Sequence, residues 1–206
     1  LLAGKALWLH RAWLAGLPTV PTIAISRAAW NGLKDERLSG DDRLRVHWIA
    51  TLFRLVDRSG RPPALVVRTS LAAHASGLMP AKTGIPAPAD EAGSTDPAQP
   101  LAKAIDAAFA SYPYRGVDPE RQIVVVQAMA AGTLQTVLSR DPQTGAMGPY
   151  RPEHAGKSPL PASVARLMAA LDSFAGRHLS CLVAIDGQET RLVSARPAVA
   201  SAAAEL

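Results

Sequence analysis

Residues 178–197, HLSCLVAIDGQETRLVSARP, leave the chain little conformational choice. Residues 179–185 form an apolar run that includes β-branched Val183 and Ile185. Asp186-Gly187 is a turn pair, and residues 190–195 form a second run closed by Arg196-Pro197. Proline has no N–H with which to extend a ladder, so the second strand ends there. The pattern predicts a β-hairpin with at least one buried face. No carboxylate stands within 179–185 or within 192–195. A site floored by this hairpin therefore has few groups with which to hold a metal ion.

Upstream, periodicity and breakers sort the rest. Residues 1–17 set Leu7, Trp8, Leu14 and Leu17 with Lys5 and Arg11 at helical spacing, stopped by Gly16 and Pro18. Residues 19–26, TVPTIAIS, predict a short strand, and Ser26 a cap for a helix from Arg27. Asp41-Asp42 precede a helix over 43–55 that carries Leu44, Trp48, Leu52 and Leu55. Residues 64–68, ALVVR, predict a buried strand with Arg68 at its end. Residues 69–100 turn to small and breaking residues and predict a loop. A helix over 101–112 places Leu101, Ile105, Ala108 and Phe109 on one face, and residues 122–127, QIVVVQ, predict a second buried strand. A strand over 135–140, a turn over 141–145 and a helix over 161–174 with Leu167, Leu171 and Phe174 inward follow. This order predicts an α+β chain of two small lobes: an N-terminal lobe over 1–88, a Pro/Ala-rich linker over 89–100 and a C-terminal lobe over 101–206.

Composition narrows the function classes. At 206 residues, 48% hydrophobic and 19% charged, the chain is globular and long enough for a core. Its net charge of +5 suits a polyphosphate ligand. The basic residues are scattered, with no run of five, so no nucleic-acid partner is expected. The single cysteine, Cys181, forbids an internal disulfide and fits a reducing compartment. No stretch reaches the roughly 18 apolar residues of a membrane span, and the first residues lack a cleavable-signal layout. A cytoplasmic protein with no membrane contact is expected, and the Ala and Arg bias looks bacterial. His10, His47, His154 and His178 show no metal-ligand spacing with one another or with Cys181.

Five segments in order resemble the N-terminal nucleotide-binding domain of the pyruvate phosphate dikinase and phosphoenolpyruvate synthase family. Residues 4–26, GKALWLHRAWLAGLPTVPTIAIS, are similar to its GGKGANL-type opening and GLPVPPGF-type strand start. Residues 66–86, VVRTSLAAHASGLMPAKTGIP, resemble its VRSGA…SMPGMMDTILN stretch, and VVVQAMAAGT at 124–133 its VQ-x-MV-x-G strand and hinge. SRDPQTGAMGPY at 139–150 resembles the TR-N/D-P-S-T-G-E segment, and the terminal hairpin the strand pair ending in LQTR. The resemblance implies an ATP-grasp-like fold, with ATP held in a cleft between the two lobes. It matches Lys5 to a phosphate-contacting lysine, Arg68 to a phosphate-contacting arginine, Gln127 and Met129 to the hinge beside adenine, and Arg196 to the arginine of the final QTR. Charge-assisted donors of this kind suit a triphosphate.

The departures from the family are as informative as the matches. Its metal-binding Glu falls at Leu182, an Asp two positions earlier at Ser180, and the Gln of QTR at Ser194. The Gly-rich phosphate loop is shortened to Gly132-Thr133-Leu134. The phosphohistidine domain and the pyruvate-binding barrel have no counterpart in these 206 residues. Mg²⁺ bridges the β- and γ-oxygens in phosphoryl transfer and takes oxygen ligands, and Leu182 offers none. The expectation is a degenerate, pseudoenzyme-type nucleotide-binding domain. It takes ATP or another anionic phosphate ligand, lacks metal residues and dikinase catalysis, and serves as a regulatory or interaction module with a partner protein. Two alternatives stand beside it. One is an active phosphotransferase half that passes phosphate to a separate phosphohistidine protein and draws metal ligands from Asp141, Asp186 or Glu189. The other is a ligand-free scaffold.

Overall fold

The computed structural model describes residues 2, 4–32, 64–70, 82–85, 98–112, 118–141, 143–150 and 160–198. The helix expected over 43–55 lies outside them. In chain order the elements are α1 (Gly4–Leu14), β1 (Thr22–Ser26), α2 (Arg27–Gly32), β2 (Leu65–Ser70), β3 (Lys82–Ile85), α3 (Ala98–Ala110), a 3₁₀ turn (Pro119–Arg121), β4 (Ile123–Ala128), β5 (Thr133–Arg140), β6 (Met147–Tyr150), α4 (Ala162–Ala175), β7 (Leu179–Asp186) and β8 (Glu189–Pro197). No helix among the described residues is long and apolar enough to cross a membrane.

The chain forms two compact units: one of Leu1–Ala6 and Pro21–Met129, the other of Leu7–Val20 and Ala130–Leu206. The expected lobes, 1–88 and 101–206, differ from this division in two respects. Leu7–Val20, expected in the N-terminal lobe, belongs to the second unit. α3 and β4 belong to the first unit, and residues 98–100, placed in the linker, open α3. The physical reason is that β4 is the middle of the first sheet and cannot bury its apolar residues elsewhere.

That first sheet has the order β1-β4-β2-β3, every pair antiparallel. β4 is buried along its whole length, as a run of Ile and Val requires when both faces are covered. On one face Ile123 and Val125 pack with Ala6 from the first turn of α1. The other face, with Leu65, Val67, Val124 and Val126, is left for α3, which contacts β2, β3 and β4. α3 buries Leu101, Ile105, Ala108 and Phe109, as its spacing predicts. Tyr112, just past α3, closes the sheet. Its hydroxyl accepts the N–H groups of Ile123 (2.9 Å) and Ser70 (3.2 Å) and lies against the carbonyl oxygens of the same two residues, a registered β2–β4 pair.

One phenol thus serves main-chain groups of two strands. Tyr112→Phe is expected to cost about 2–3 kcal/mol, because buried peptide groups lose their partner. Thermal denaturation should record a fall of roughly 5–10 °C. Burial raises the Tyr112 pKa above 10.0. The neutral phenol is the folded form, so its contribution is complete below pH 10 and is lost as pH rises through the folded value. An unchanged melting temperature would mean that Ser70 and Ile123 close up on each other.

The second sheet has the order β6-β5-β7-β8, again antiparallel. α4 and the remainder of α1 cover one face, with Trp8, Leu9, Val164, Leu167 and Leu171 against Val137, Cys181, Val183 and Leu192. Burial pushes the Cys181 thiol up to about 12, so it behaves as an inert small hydrophobe at neutral pH. Asp172 of α4 is buried and accepts from Arg140 Nε (3.0 Å), a second Arg140 nitrogen (3.1 Å) and Ser139 Oγ (3.3 Å), while Ser139 Oγ also takes the Leu179 N–H (2.9 Å). Arg140 is therefore an anchor between β5 and α4.

Several boundaries move for stated reasons. The strand expected over 19–26 begins at Thr22. Pro18 and Pro21 interrupt it, and residue 19 instead bridges to Leu192 of β8 in parallel, through Val20 N–H to Leu192 C=O (2.9 Å) and Leu192 N–H to Pro18 C=O (2.8 Å). β3 falls in the stretch expected to be loop, and β6 follows the expected turn; each has four residues and exists only by pairing with a neighbour. Leu14 and Phe174, expected inward, are exposed, because the buried stripe of α1 runs through Ala6, Trp8, Leu9 and Ala12, and α4 ends one residue after Phe174. The final hairpin forms as predicted, with Gly187-Gln188 at its centre and a bulge beside Leu182 and Val183.

Candidate functional site

In the first unit three of the expected residues gather on one face. Residues directly opposite in an antiparallel pair share a face. Arg68 is opposite Val125, and Gln127 is opposite both Thr22 and Val66. All lie on the face where Ala6 packs on Ile123 and Val125. Lys5 precedes Ala6, whose N–H donates to Ser70 Oγ at 2.9 Å, two residues from Arg68 on β2. Arg68 lies within β2 rather than at its end, because the strand runs on to Ser70. Burial pulls its pKa from 12.5 down to about 10, so at neutral pH it holds a positive charge in a poorly solvated place. Gln127 is fully buried and donates from Nε2 to Thr22 Oγ1 at 2.8 Å.

The hinge segment is more committed than expected. The Ala128 N–H donates to Pro21 C=O (3.0 Å) and the Met129 N–H to Ala64 C=O (2.6 Å). These two amides complete the ends of the sheet, which leaves them unavailable to a base. The Met129 side chain is 46% exposed, so position 129 offers apolar surface.

In the second unit the fifth residue, Arg196, is exposed on β8 opposite Ser180, and Ser194 is opposite Leu182, which is in turn opposite Thr136. Register places Thr136, Ser180, Leu182, Ala184, Arg191, Ser194 and Arg196 on the face turned away from α4 and α1. That face carries two guanidiniums and two serine hydroxyls, and its carboxylates, Asp186 and Glu189, stand only at the hairpin end. The acidic groups nearby are otherwise engaged. Asp141 Oδ1 accepts the N–H groups of Gln143 (2.8 Å) and Thr144 (3.4 Å), and these bonds, Gln143 first, hold its pKa below the ordinary carboxylate value. Glu189 pairs with Arg191 at 3.1 Å, and Asp186 sits at the exposed corner of the hairpin.

Among the described residues no three His, Cys, Asp or Glu side chains cluster closely enough to hold a metal ion. Mg²⁺ takes several hard oxygen ligands at short range. Leu182, Ser180 and Ser194 do not fit it. An anion fits the guanidinium and hydroxyl donors of these faces better than a cation does.

No family model matches the chain, and no curated protein matches it in sequence. Its structure, by contrast, matches solved ones. The D-alanine-D-alanine ligase from Coxiella burnetii is 12% identical with a TM-score of 0.56, over 94% of this chain and 47% of that one. The D-alanine-D-alanine ligase from Bacillus anthracis is 12% identical with a TM-score of 0.51, over 94% and 55%. The RimK domain protein ATP-grasp from Sphaerobacter thermophilus is 16% identical with a TM-score of 0.49, over 94% and 58%. The chain spans about half the length of these structures. The fold is α+β and ATP-grasp-like, with two lobes, as the sequence led us to expect.

Proposed function

We propose that this chain is a nucleotide-binding module of ATP-grasp type that binds ATP, or a related phosphate anion, without a metal ion and without dikinase chemistry. The observation that carries the reading is the composition of the helix-free face of the second sheet around Leu182, where Arg196, Ser180 and Ser194 supply guanidinium and hydroxyl donors and the carboxylates Asp186 and Glu189 lie apart at the hairpin end. Lys5, Arg68 and Arg196 are the phosphate donors in this reading, and Gln127 and Met129 line the base. The likeness to the nucleotide-binding domain of the pyruvate phosphate dikinase family belongs to the same proposal. It accounts for a phosphate-binding set that persists while the metal position has become Leu182. A protein that binds nucleotide without turning it over serves regulation or interaction with a partner protein.

A thermal-shift titration with ATP, in EDTA and then in Mg²⁺, tests this. A ligand at 100 times its Kd adds about 2.7 kcal/mol, or roughly 5–10 °C for a chain of this size. A shift in EDTA is the expected result. A shift only with Mg²⁺ would overturn the metal-free reading in favour of phosphotransfer. No shift at millimolar ATP would leave a scaffold.

A further inference from the structure

We propose that the edge of β8 beside α4 docks an extended acidic peptide segment of a partner protein. The site is a groove of about 710 Å³ in the second unit, lined by Leu17, Pro18, Ser163, Arg166, Leu167 and Thr190 among others. It lies on the side of the sheet covered by α4, whereas Arg196, Ser194 and Leu182 belong to the opposite face. The proposal therefore stands whether or not ATP binds.

The main chain supplies the first half of the argument. Among the described residues β8 is an edge strand. Leu192 turns its N–H and C=O outward, to Pro18 and Val20. Two residues earlier, with a period of two, Thr190 turns its own main-chain groups the same way. A further rung of the parallel pairing would require Pro18 to donate an N–H to Thr190, and proline has none. The pairing therefore stops at Pro18, and the strand edge opens into the groove. An uncovered strand edge is a template for an added strand.

The side chains supply the second half. The groove floor is apolar, with Leu17, Leu167 and Ala170. Ser163 and Thr190 share a hydroxyl–hydroxyl hydrogen bond of 2.7 Å at its base, which fixes α4 against the first residues of β8. Glu189 and Arg191 border the groove on β8, turn their side chains to the opposite face of the sheet and pair with each other there at 3.1 Å. Arg166, exposed on α4, makes no ion pair among the described residues and leaves the groove net positive. A peptide that pairs its backbone with Thr190 and places alternate apolar side chains on Leu17 and Leu167 would set a carboxylate against Arg166.

The test uses the full chain, ¹⁵N-labelled, with acetyl-Val-Glu-Val-Glu-Val-Glu-amide as probe. Amide shifts at Ser163, Arg166, Thr190 and Arg191 are expected with this peptide. They should be lost with a Lys-for-Glu version and with a version N-methylated at alternate residues. Arg166→Glu should weaken binding about tenfold or more, as loss of a charge partner does; Arg166→Ala is the second variant if the first perturbs the spectrum. No shift at millimolar peptide, an equal response to the Lys or N-methylated peptide, or the same shifts with free glutamate would overturn the proposal. The last result would mark a small-anion site instead.

Discussion

Arg68→Met raises the melting temperature of the ligand-free protein and removes its stabilisation by ATP. The guanidinium sits in β2 with its pKa pulled down to about 10 by burial. For a base, a folded pKa below the unfolded one means that folding disfavours the charged form. The penalty is present at neutral pH and fades as pH rises through 10 towards 12.5. At about 1.4 kcal/mol per pKa unit the full penalty is about 3 kcal/mol. Arg68 is only partly buried, so solvent screening leaves about 1–2 kcal/mol of it. Methionine keeps the unbranched stem and drops the charge, so a gain of roughly 2–6 °C is expected. The same substitution removes a charge-assisted phosphate donor and should weaken ATP binding about 30-fold or more. Differential scanning fluorimetry with and without ATP reads both effects. A lower melting temperature with the ATP shift retained would make Arg68 a structural strand residue and sink its role as a ligand.

Gly132→Ala should lower the melting temperature by about 10 °C. Gly132 has φ +85°, and a Cβ there would lie 2.6 Å from the carbonyl carbon of Ile185 and 3.0 Å from Cα of Asp186. Those are backbone atoms of β7, so neither can rotate aside. The left-handed conformation costs about 1–2 kcal/mol and the overlap a further 1–3 kcal/mol. Each kcal/mol is worth roughly 2–4 °C here. Gly176, the left-handed cap of α4 (φ 61°), has no atom of the described residues within 4 Å of where a Cβ would stand. Gly176→Ala therefore carries only the conformational cost, and the difference between the two variants isolates the steric part. Equal losses would show that β5 and β7 spread apart to admit the methyl. The short Gly132-Thr133-Leu134 segment thus has a structural duty in the register of Thr133 with Ile185, whatever it does for a ligand.

The sequence by itself determined the elements whose cause is local. The run IVVV made β4 a strand buried on both faces, the period in α3 placed Leu101, Ile105 and Phe109 inward, and Pro197 ended the last strand. It also supplied the absence of carboxylates from residues 179–185 and 192–195 of the terminal hairpin, because that is a matter of composition. What it did not carry were relations between distant residues. β3 and β6 are too short and exposed to show a period, and their partners alone make them strands. Asp172 has no local mark of its bond to Arg140, 32 positions away. Nor does Tyr112 announce that it will hold two strand ends. The site divides in the same way. Lys5, Arg68, Gln127 and Arg196 could be chosen as donors from their residue types and from resemblance, but only β-sheet register put Arg68 and Gln127 on one face and Arg196 with Ser194 and Leu182 on another. Periodicity reports which side of an element is apolar. Which element covers that side, and which polar groups remain on the other, is settled by packing between residues far apart in the chain.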